Sequence, residues 1–324
     1  MMSAPKGYAG VPVLVLGASG FIGRWVARGL SAAGALVTSA VRDPGRAREI
    51  FAAYGVTGAV AKVELADRLA VGRLFAATRP AVTFNLAGYG VDRSERDEPT
   101  FTRINVGLVD AVADLVERYS DATWRGLQLV HTGSALEYGA IGGHLVEDAE
   151  PSPTTVYGRT KLAGTRRLAG HRAAVTARLF TVYGPGEHEG RLLPSLMEAT
   201  RTSAAVPLSE GRQCRDFTYI EDVADGLLRL GLCRPAAGRT LNLATGKLHS
   251  VRDFVQAAAR VLRIPDQQLE FGAVPPRAEE MAHDAVAVDR LRALLGWVPE
   301  TAIDEGVART RRFLDATDQI LHGK

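Results

Sequence analysis

Tyr157-Gly158-Arg159-Thr160-Lys161 sets a phenol and an ammonium four residues apart, on one face if the segment is helical. A tyrosine titrating near ~10 is a weak acid-base group at neutral pH, and a neighbouring cation favours its ionised form. Lys161 is therefore expected to tune Tyr157. With eight tyrosines and five lysines in the chain, the pairing gains its weight from its position after the fifth candidate strand. A third group must hydrogen-bond the reacting oxygen. Thr132-Gly133-Ser134 closes that fifth strand, where open α/β sheets bind ligands, and Ser134 is the expected hydroxyl.

A second chemistry lies near the start of the chain. Gly17-Ala18-Ser19-Gly20-Phe21-Ile22-Gly23 follows the apolar run Val13-Leu14-Val15-Leu16 and opens a segment with Phe21, Ile22, Trp25, Val26 and Leu30 at helical spacing. Glycine in such a turn lets backbone amides approach a pyrophosphate, whose charge a helix N-terminus favours. The end of the second strand selects the dinucleotide, because a carboxylate there accepts from the adenosine ribose whereas arginine accommodates a 2′-phosphate. The residues are Ala40-Val41-Arg42-Asp43, with Arg46 and Arg48 close behind, so NADP is expected. NAD is the alternative, with Arg42 a solvated surface residue and Asp43 serving the ribose.

Such groups need a scaffold that gathers strand ends. Short β-branched runs alternate with helical patterns, as crossover units of a parallel sheet do. The candidate strands are Val11 to Leu16, Ala35 to Val41, Ala59 to Val63, Ala81 to Leu86, Leu127 to Thr132, Ala174 to Phe180 and Thr240 to Leu243. After Tyr183 the rhythm loosens through Gly184-Pro185-Gly186-Glu187 into an amphipathic segment from Leu192 to Thr200. The chain is expected to rejoin the sheet around Asp216 to Leu243 and leave it through a helix at Val251 to Leu262. An α/β fold follows, a Rossmann-type doubly wound parallel sheet of about seven strands with a smaller, discontinuous C-terminal domain. The division expected is residues 1–182 and 216–247 for the dinucleotide, and 183–215 and 248–324 for the substrate.

Composition narrows the class. The 324 residues are 46% hydrophobic and 23% charged, values that fit a soluble globular chain and not a disordered, collagenous or membrane one. A net charge of +3, from 39 basic and 36 acidic residues spread along the chain, gives no reason to expect nucleic acid as a partner. The first ten residues contain no apolar stretch of signal-peptide length, and no run of ~18 apolar residues occurs anywhere. Only Cys214 and Cys233 are present. A cytoplasmic, reducing location without membrane attachment is expected. The seven histidines show no metal-ligand spacing, so no metal is expected, and Gly-x-Ser-x-Gly is absent, which disfavours a serine hydrolase.

Further segments match one family in order along nearly the whole chain: Phe84-Asn85-Leu86-Ala87-Gly88, Asn105, Ser134-Ala135-Leu136-Glu137-Tyr138-Gly139 and Arg178 with Tyr183-Gly184-Pro185. Gly211-Arg212-Gln213-Cys214-Arg215-Asp216-Phe217 and Leu295-Gly296-Trp297-Val298-Pro299 extend the match. Together with the glycine turn and Tyr157/Lys161, these residues resemble the short-chain dehydrogenase/reductase superfamily, in its extended branch acting largely on nucleotide sugars. The resemblance implies a catalytic trio of Ser134, Tyr157 and Lys161, with Lys161 also holding the nicotinamide ribose. Dinucleotide contacts are implied at Gly17, Ser19, Gly20, Phe21, Ile22 and Gly23 of the turn and at Arg42. Glu64-Leu65 would flank the adenine, with Glu64 where relatives usually carry aspartate. Ala87, Gly88 and Thr132 would complete that side. Arg215 and Arg277 match arginines that grip a sugar-nucleotide diphosphate, against the competing reading of surface salt bridges. The family also pairs as homodimers through two helices, here the segments around Asn105 to Tyr119 and Tyr157 to Gly170.

Related dehydratases carry an Asp-Glu pair just after the active-site hydroxyl, where this chain has Ala135 and Leu136; without a carboxylate to move a proton from carbon, 4,6-dehydration is not expected. Glu137 is one position too far and reads as a structural hydrogen-bonding group. Two reactions remain, reduction of a keto sugar by NADPH and 4-epimerisation with retained NAD. The Arg42 reading and the similarity of Gly133 to Gly139 to reductases of nucleotide-linked 4-keto-6-deoxyhexoses select an NDP-4-keto-6-deoxyhexose 4-ketoreductase. Thr181 stands where many relatives place an asparagine that contacts the sugar, which leaves room for a non-sugar carbonyl. A non-catalytic dinucleotide sensor is disfavoured because Tyr157 and Lys161 are both kept.

Overall fold

The computed structural model describes residues 5–92, 94–119, 121, 123–234, 239–275 and 281–322, with the last five of these described as backbone only. The first six strands are β1 (Pro12–Leu16), β2 (Leu36–Val41), β3 (Ala59–Lys62), β4 (Val82–Asn85), β5 (Leu129–Ser134) and β6 (Ala174–Leu179). Shorter strands follow as β7 (Thr181–Tyr183), β8 (Val206–Leu208) and β9 (Cys214–Tyr219), then β10 (Arg239–Leu243), β11 (Leu248–Ser250) and β12 (Leu269–Phe271). Seven strands form one parallel sheet in the order β10-β6-β5-β4-β1-β2-β3, the reversal on either side of β1 being that of a doubly wound fold.

The sequence of β1 shows why both faces of this sheet are covered. Val13 and Val15 join one buried cluster and Leu14 and Leu16 a second, so the two-residue period of the strand feeds two apolar layers. The first layer takes helices α1 (Phe21–Ala32) and α2 (Pro44–Tyr54); the second takes α3 (Arg68–Thr78). Beyond α4 (Glu98–Thr102), residues Arg103–Gly107 form a π-helical turn that runs into α5 (Leu108–Tyr119), and α6 (Val156–Arg167) packs beside it. Asn105 is the buried polar residue of that turn; its side chain bonds both Tyr89 backbone groups and the Thr160 hydroxyl, which ties α6 to the segment after β4. A π-turn inserted into a helix commonly marks a functional position.

One expectation about the chain path needs correction. Residues from Asp216 do not re-enter the central sheet; β9 instead pairs with β7 and β11 in a separate three-stranded sheet. Its outer register sets Thr181 opposite Phe217 and Arg215 opposite His249. The chain regains the large sheet only after α8 (Ile220–Leu232), at β10. Helices α7 (Leu192–Thr202), α9 (Val251–Leu262), α10 (Asp289–Leu295) and α11 (Ile303–His322) complete this part. Phe313 of α11 packs at a tilt against Trp25 and Tyr54, joining the C-terminal helix to α1 and α2. Among the described residues no helix is long and apolar enough to cross a membrane.

Candidate active site

The three proposed catalytic residues converge where β5 ends and α6 begins. Ser134 is the last residue of β5, and Thr155 caps α6 by accepting from the Gly158 amide at 2.9 Å, so Tyr157 and Lys161 lie on successive turns. The Ser134 oxygen accepts from the Leu136 amide at 3.2 Å, which leaves its hydrogen free to be donated. Tyr157 is half-buried and Lys161 fully buried.

The electrostatics differ from the expected tuning of Tyr157 by Lys161. Lys161 Nζ donates to the Thr132 carbonyl at 2.6 Å, and burial pulls its pKa down to about 8 against the upward pull of Glu137. The Tyr157 phenol is pushed up to about 12, first by burial and then by the Glu137 charge, while a hydrogen bond with Ser134 pulls it down. The phenol is therefore protonated at neutral pH rather than poised to ionise, because desolvation outweighs the stabilising contacts.

Glu137 is the structural group the sequence indicated. Its Oε1 accepts from the Ser134 amide at 2.9 Å and from the Thr165 hydroxyl at 3.0 Å, and its Oε2 accepts from Arg178 Nε at 2.9 Å. Arg178 also stacks on the Tyr138 ring at 4.3 Å. This buried ion pair fixes the turn carrying Ser134, and every oxygen of the carboxylate is occupied.

The glycine turn has the form an anion needs. Gly17 takes φ 76°, and a Cβ there would lie 2.9 Å from the Ala87 amide nitrogen, so the end of β1 is pressed against the end of β4. A Cβ on Gly23 would strike the Gly17 carbonyl oxygen. Asp43 and Asp67 cap α2 and α3, whereas Gly20 at the start of α1 provides no side-chain cap. The first amides of α1, at Phe21 and Ile22 beside half-buried Ser19, are thus left for a pyrophosphate, and the first turn of the helix carries no acidic residue. These residues fit a dinucleotide.

Around this turn the expected contacts fall at consecutive strand ends. Arg42 is exposed just past β2, and Asp43 Oδ1 is engaged with the Gly45 and Arg46 amides at 2.9 and 3.1 Å. Past β3, Glu64 is exposed, with Oε1 accepting from the Ala66 amide at 3.2 Å, and Leu65 is half-buried. Ala87 and Gly88 follow β4, while the Thr132 hydroxyl meets the Asn85 carbonyl at 3.4 Å. Thr181 opens β7 two residues past the end of β6, whose last residue Leu179 pairs with Ser134, and Arg215 is half-buried in β9 of the three-stranded sheet. Arg277 lies outside the described residues. Among the described residues no three His, Cys, Asp or Glu side chains are grouped as a metal ion requires.

Beyond Glu137, two charged residues act on the phenol, Glu95 and Arg191, and Glu187 neighbours Arg191. Glu95 accepts from the Gly90 and Val91 amides at 2.7 and 3.1 Å, folding the loop after β4 so that a Cβ on Gly90 would sit 3.0 Å from Tyr157 Cδ2. Arg191 Nη2 donates to the Val91 carbonyl at 2.8 Å. Glu187 is half-buried in the loop after β7. Glu95 and Arg191 carry no spacing that singles them out in sequence, and Glu187 is visible only as part of a Gly- and Pro-rich break.

Residues 13–244 match the NAD dependent epimerase/dehydratase family. A UDP-glucose 4-epimerase of Mycolicibacterium smegmatis is 30% identical, the alignment covering 93% of this chain and 97% of the relative. A dTDP-6-deoxy-L-talose 4-dehydrogenase (NAD(P)(+)) of Kitasatospora kifunensis is 28% identical over 94% of this chain and 96% of its own. Among solved structures MoeE5, in complex with UDP-glucose and NAD, superposes with a TM-score of 0.79 at 26% identity, covering 94% of this chain and 99% of that one. With the Rossmann sheet, the uncapped glycine turn and the paired Tyr157 and Lys161, these matches lead to one conclusion: the chain belongs to the NAD dependent epimerase/dehydratase family, nucleotide-sugar-modifying enzymes of the extended short-chain dehydrogenase/reductase type.

Proposed function

We propose that this protein is an NADPH-dependent reductase of a keto group on a nucleotide-linked sugar, an NDP-4-keto-6-deoxyhexose 4-ketoreductase. In this reading residues 1–182 and 216–247 hold the dinucleotide, residues 183–215 and 248–324 the substrate, and two copies pair through α5 and α6. The observation that carries the reading is the end of β2. Arg42 is exposed there for a 2′-phosphate, while the neighbouring acid, Asp43, has Oδ1 turned into the cap of α2.

The dinucleotide supplies the hydride when bound over the first turn of α1. Ser134, its oxygen already accepting from Leu136, donates to the substrate carbonyl oxygen and draws charge onto it. Tyr157, protonated at neutral pH, gives that oxygen a proton as the carbonyl carbon is reduced. Lys161, fixed by the Thr132 carbonyl, has two further N–H groups for the nicotinamide ribose and for the phenolate left behind. Ala135 and Leu136 put no carboxylate beside Ser134, which supports reduction over dehydration.

A second reading, NAD-dependent 4-epimerisation, is favoured by the M. smegmatis relative and by the NAD carried in the MoeE5 complex. Titration of the purified protein with NADPH and NADH separates the two, together with assay of any retained cofactor. Preferential NADPH binding, lost by about ten-fold or more in Arg42→Ala with NADH affinity unchanged, supports the reductase. Retained NAD and interconversion of UDP-glucose and UDP-galactose would replace it with the epimerase.

A further inference from the structure

Arg24, in the first turns of α1, reaches back over the glycine turn that opens the helix. Its Nη2 donates to the Ser19 carbonyl at 2.9 Å and its Nε to the Gly20 carbonyl at 3.1 Å. The Gly20 carbonyl also accepts from the Arg24 amide at 3.1 Å, the first backbone bond of the helix. The Ser19 carbonyl lies one residue before that ladder begins, so the guanidinium supplies a donor where the helix backbone does not.

A trans peptide is planar, with its carbonyl and amide pointing opposite ways, so holding one end aims the other. The Ser19–Gly20 peptide is pinned at both ends, because the Gly20 amide donates to the Gly17 carbonyl at 3.0 Å. The Gly20–Phe21 peptide is held at its carbonyl by Arg24, which points the Phe21 amide out of the helix start, where no carbonyl of α1 meets it. The cation also covers the negative ends of two carbonyl dipoles that would otherwise weaken the pull of this turn on an anion.

The guanidinium is itself braced. It lies 5.2 Å from the centroid of the Tyr54 ring at the end of α2, and a Cβ on Gly186 would come within 2.9 Å of Nη1. Gly186, at φ 88°, thus lets the loop after β7 close on Arg24 with no side chain between them. A clamp held this way has little freedom left to lose when a ligand arrives.

We propose, on the basis of the dinucleotide reading above, that Arg24 is a positioning residue for the cofactor. It holds the Ser19 and Gly20 carbonyls so that the first amides of α1 face the pyrophosphate, the part that NADPH and NADH share. Its contribution is therefore the same for both dinucleotides, unlike that of Arg42, which is assigned to the 2′-phosphate.

The test is calorimetric titration of the full chain and its Arg24 variants with NADPH and NADH. Arg24→Met keeps an apolar stem to pack on Tyr54 and loses every donor, so it is expected to raise both Kd values by a similar factor of about ten or more, as Arg24→Ala does. Arg24→Lys keeps a cation and its donors without the planar fork, and recovers part of that loss. Wild-type affinity in Arg24→Met would show that only packing matters and overturns the proposal. So does a lysine variant no tighter than the methionine one, or a loss confined to NADPH, which would make Arg24 a 2′-phosphate contact. A wild type that binds neither dinucleotide overturns the dinucleotide reading itself, and this inference with it.

Discussion

At Tyr157 burial and the Glu137 charge both favour the protonated phenol, and the Ser134 hydrogen bond and the Arg191 charge oppose them. Tyr157→Phe removes the proton without disturbing the ring packing, so turnover is expected to fall by about 10²- to 10⁴-fold with unchanged NADPH affinity, as steady-state kinetics and a fluorescence titration would show. Lys161 leaves a second signature. The unfolded chain keeps its proton up to the ordinary 10.5 while the folded chain sheds it from about 8, so this residue makes stability rise with pH across that window. Tyr157 acts oppositely above pH 10, since the folded chain then holds a proton that the unfolded chain releases. Thermal melts of Lys161→Met and wild type from pH 7 to 10 should therefore show the largest relative advantage of the variant at pH 7, shrinking as pH rises. The Tyr-Lys spacing was legible in the sequence; the sign of the Tyr157 shift was not, because it depends on which groups burial excludes from water.

The β5 to α6 connection and the β1 to α1 turn each rest on a contact that substitution can break. Glu137→Ala leaves Arg178 buried without its partner and frees the Ser134 amide, so a loss of about 3–5 kcal/mol in denaturant unfolding is expected, with reduced turnover. Replacing both members with apolar residues should recover much of that stability while Ser134 stays mispositioned and activity stays low. At the other connection, Gly23→Ala forces a methyl into the Gly17 carbonyl, and NADPH and NADH titrations should both lose affinity. The glycine pattern announced this turn from sequence because local geometry demands it. The Glu137–Arg178 pair joins residues 41 positions apart, and although both stood in matching segments, nothing in their spacing paired them.

Across the molecule, α11 is bound to the dinucleotide side through aromatic rings. Phe313 lies 5.1 Å from the Trp25 ring and 4.9 Å from the Tyr54 ring, with Arg28 stacked against Phe313 and Arg24 against Tyr54. The same Trp25 holds Pro185, so the C-terminal helix, the glycine-turn helix and the loop of Glu187 share one support. Phe313→Ala is expected to cost about 1–3 kcal/mol in urea unfolding, below the ~3–5 kcal/mol of a fully enclosed phenylalanine, and to weaken NADPH binding in the same titration. Charge steering is not a whole-molecule device here, since a net charge of +3 spread along the chain focuses little field.

By itself the sequence determined the seven strands of the sheet, the turn at Gly17 to Gly23, the Tyr157–Lys161 spacing and the structural role of Glu137. Each of these follows from a local period or a short motif: alternating Val and Leu in β1 already specify two buried faces, and a glycine turn specifies its own backbone path. Only the tertiary structure decided that β9 leaves the central sheet, that Lys161 binds the carbonyl of a residue 29 positions away, and that Glu187 ends with a buried, unpaired oxygen. Strand partners and desolvation are set by segments distant along the chain, whose meeting has no periodic signature in the order of residues.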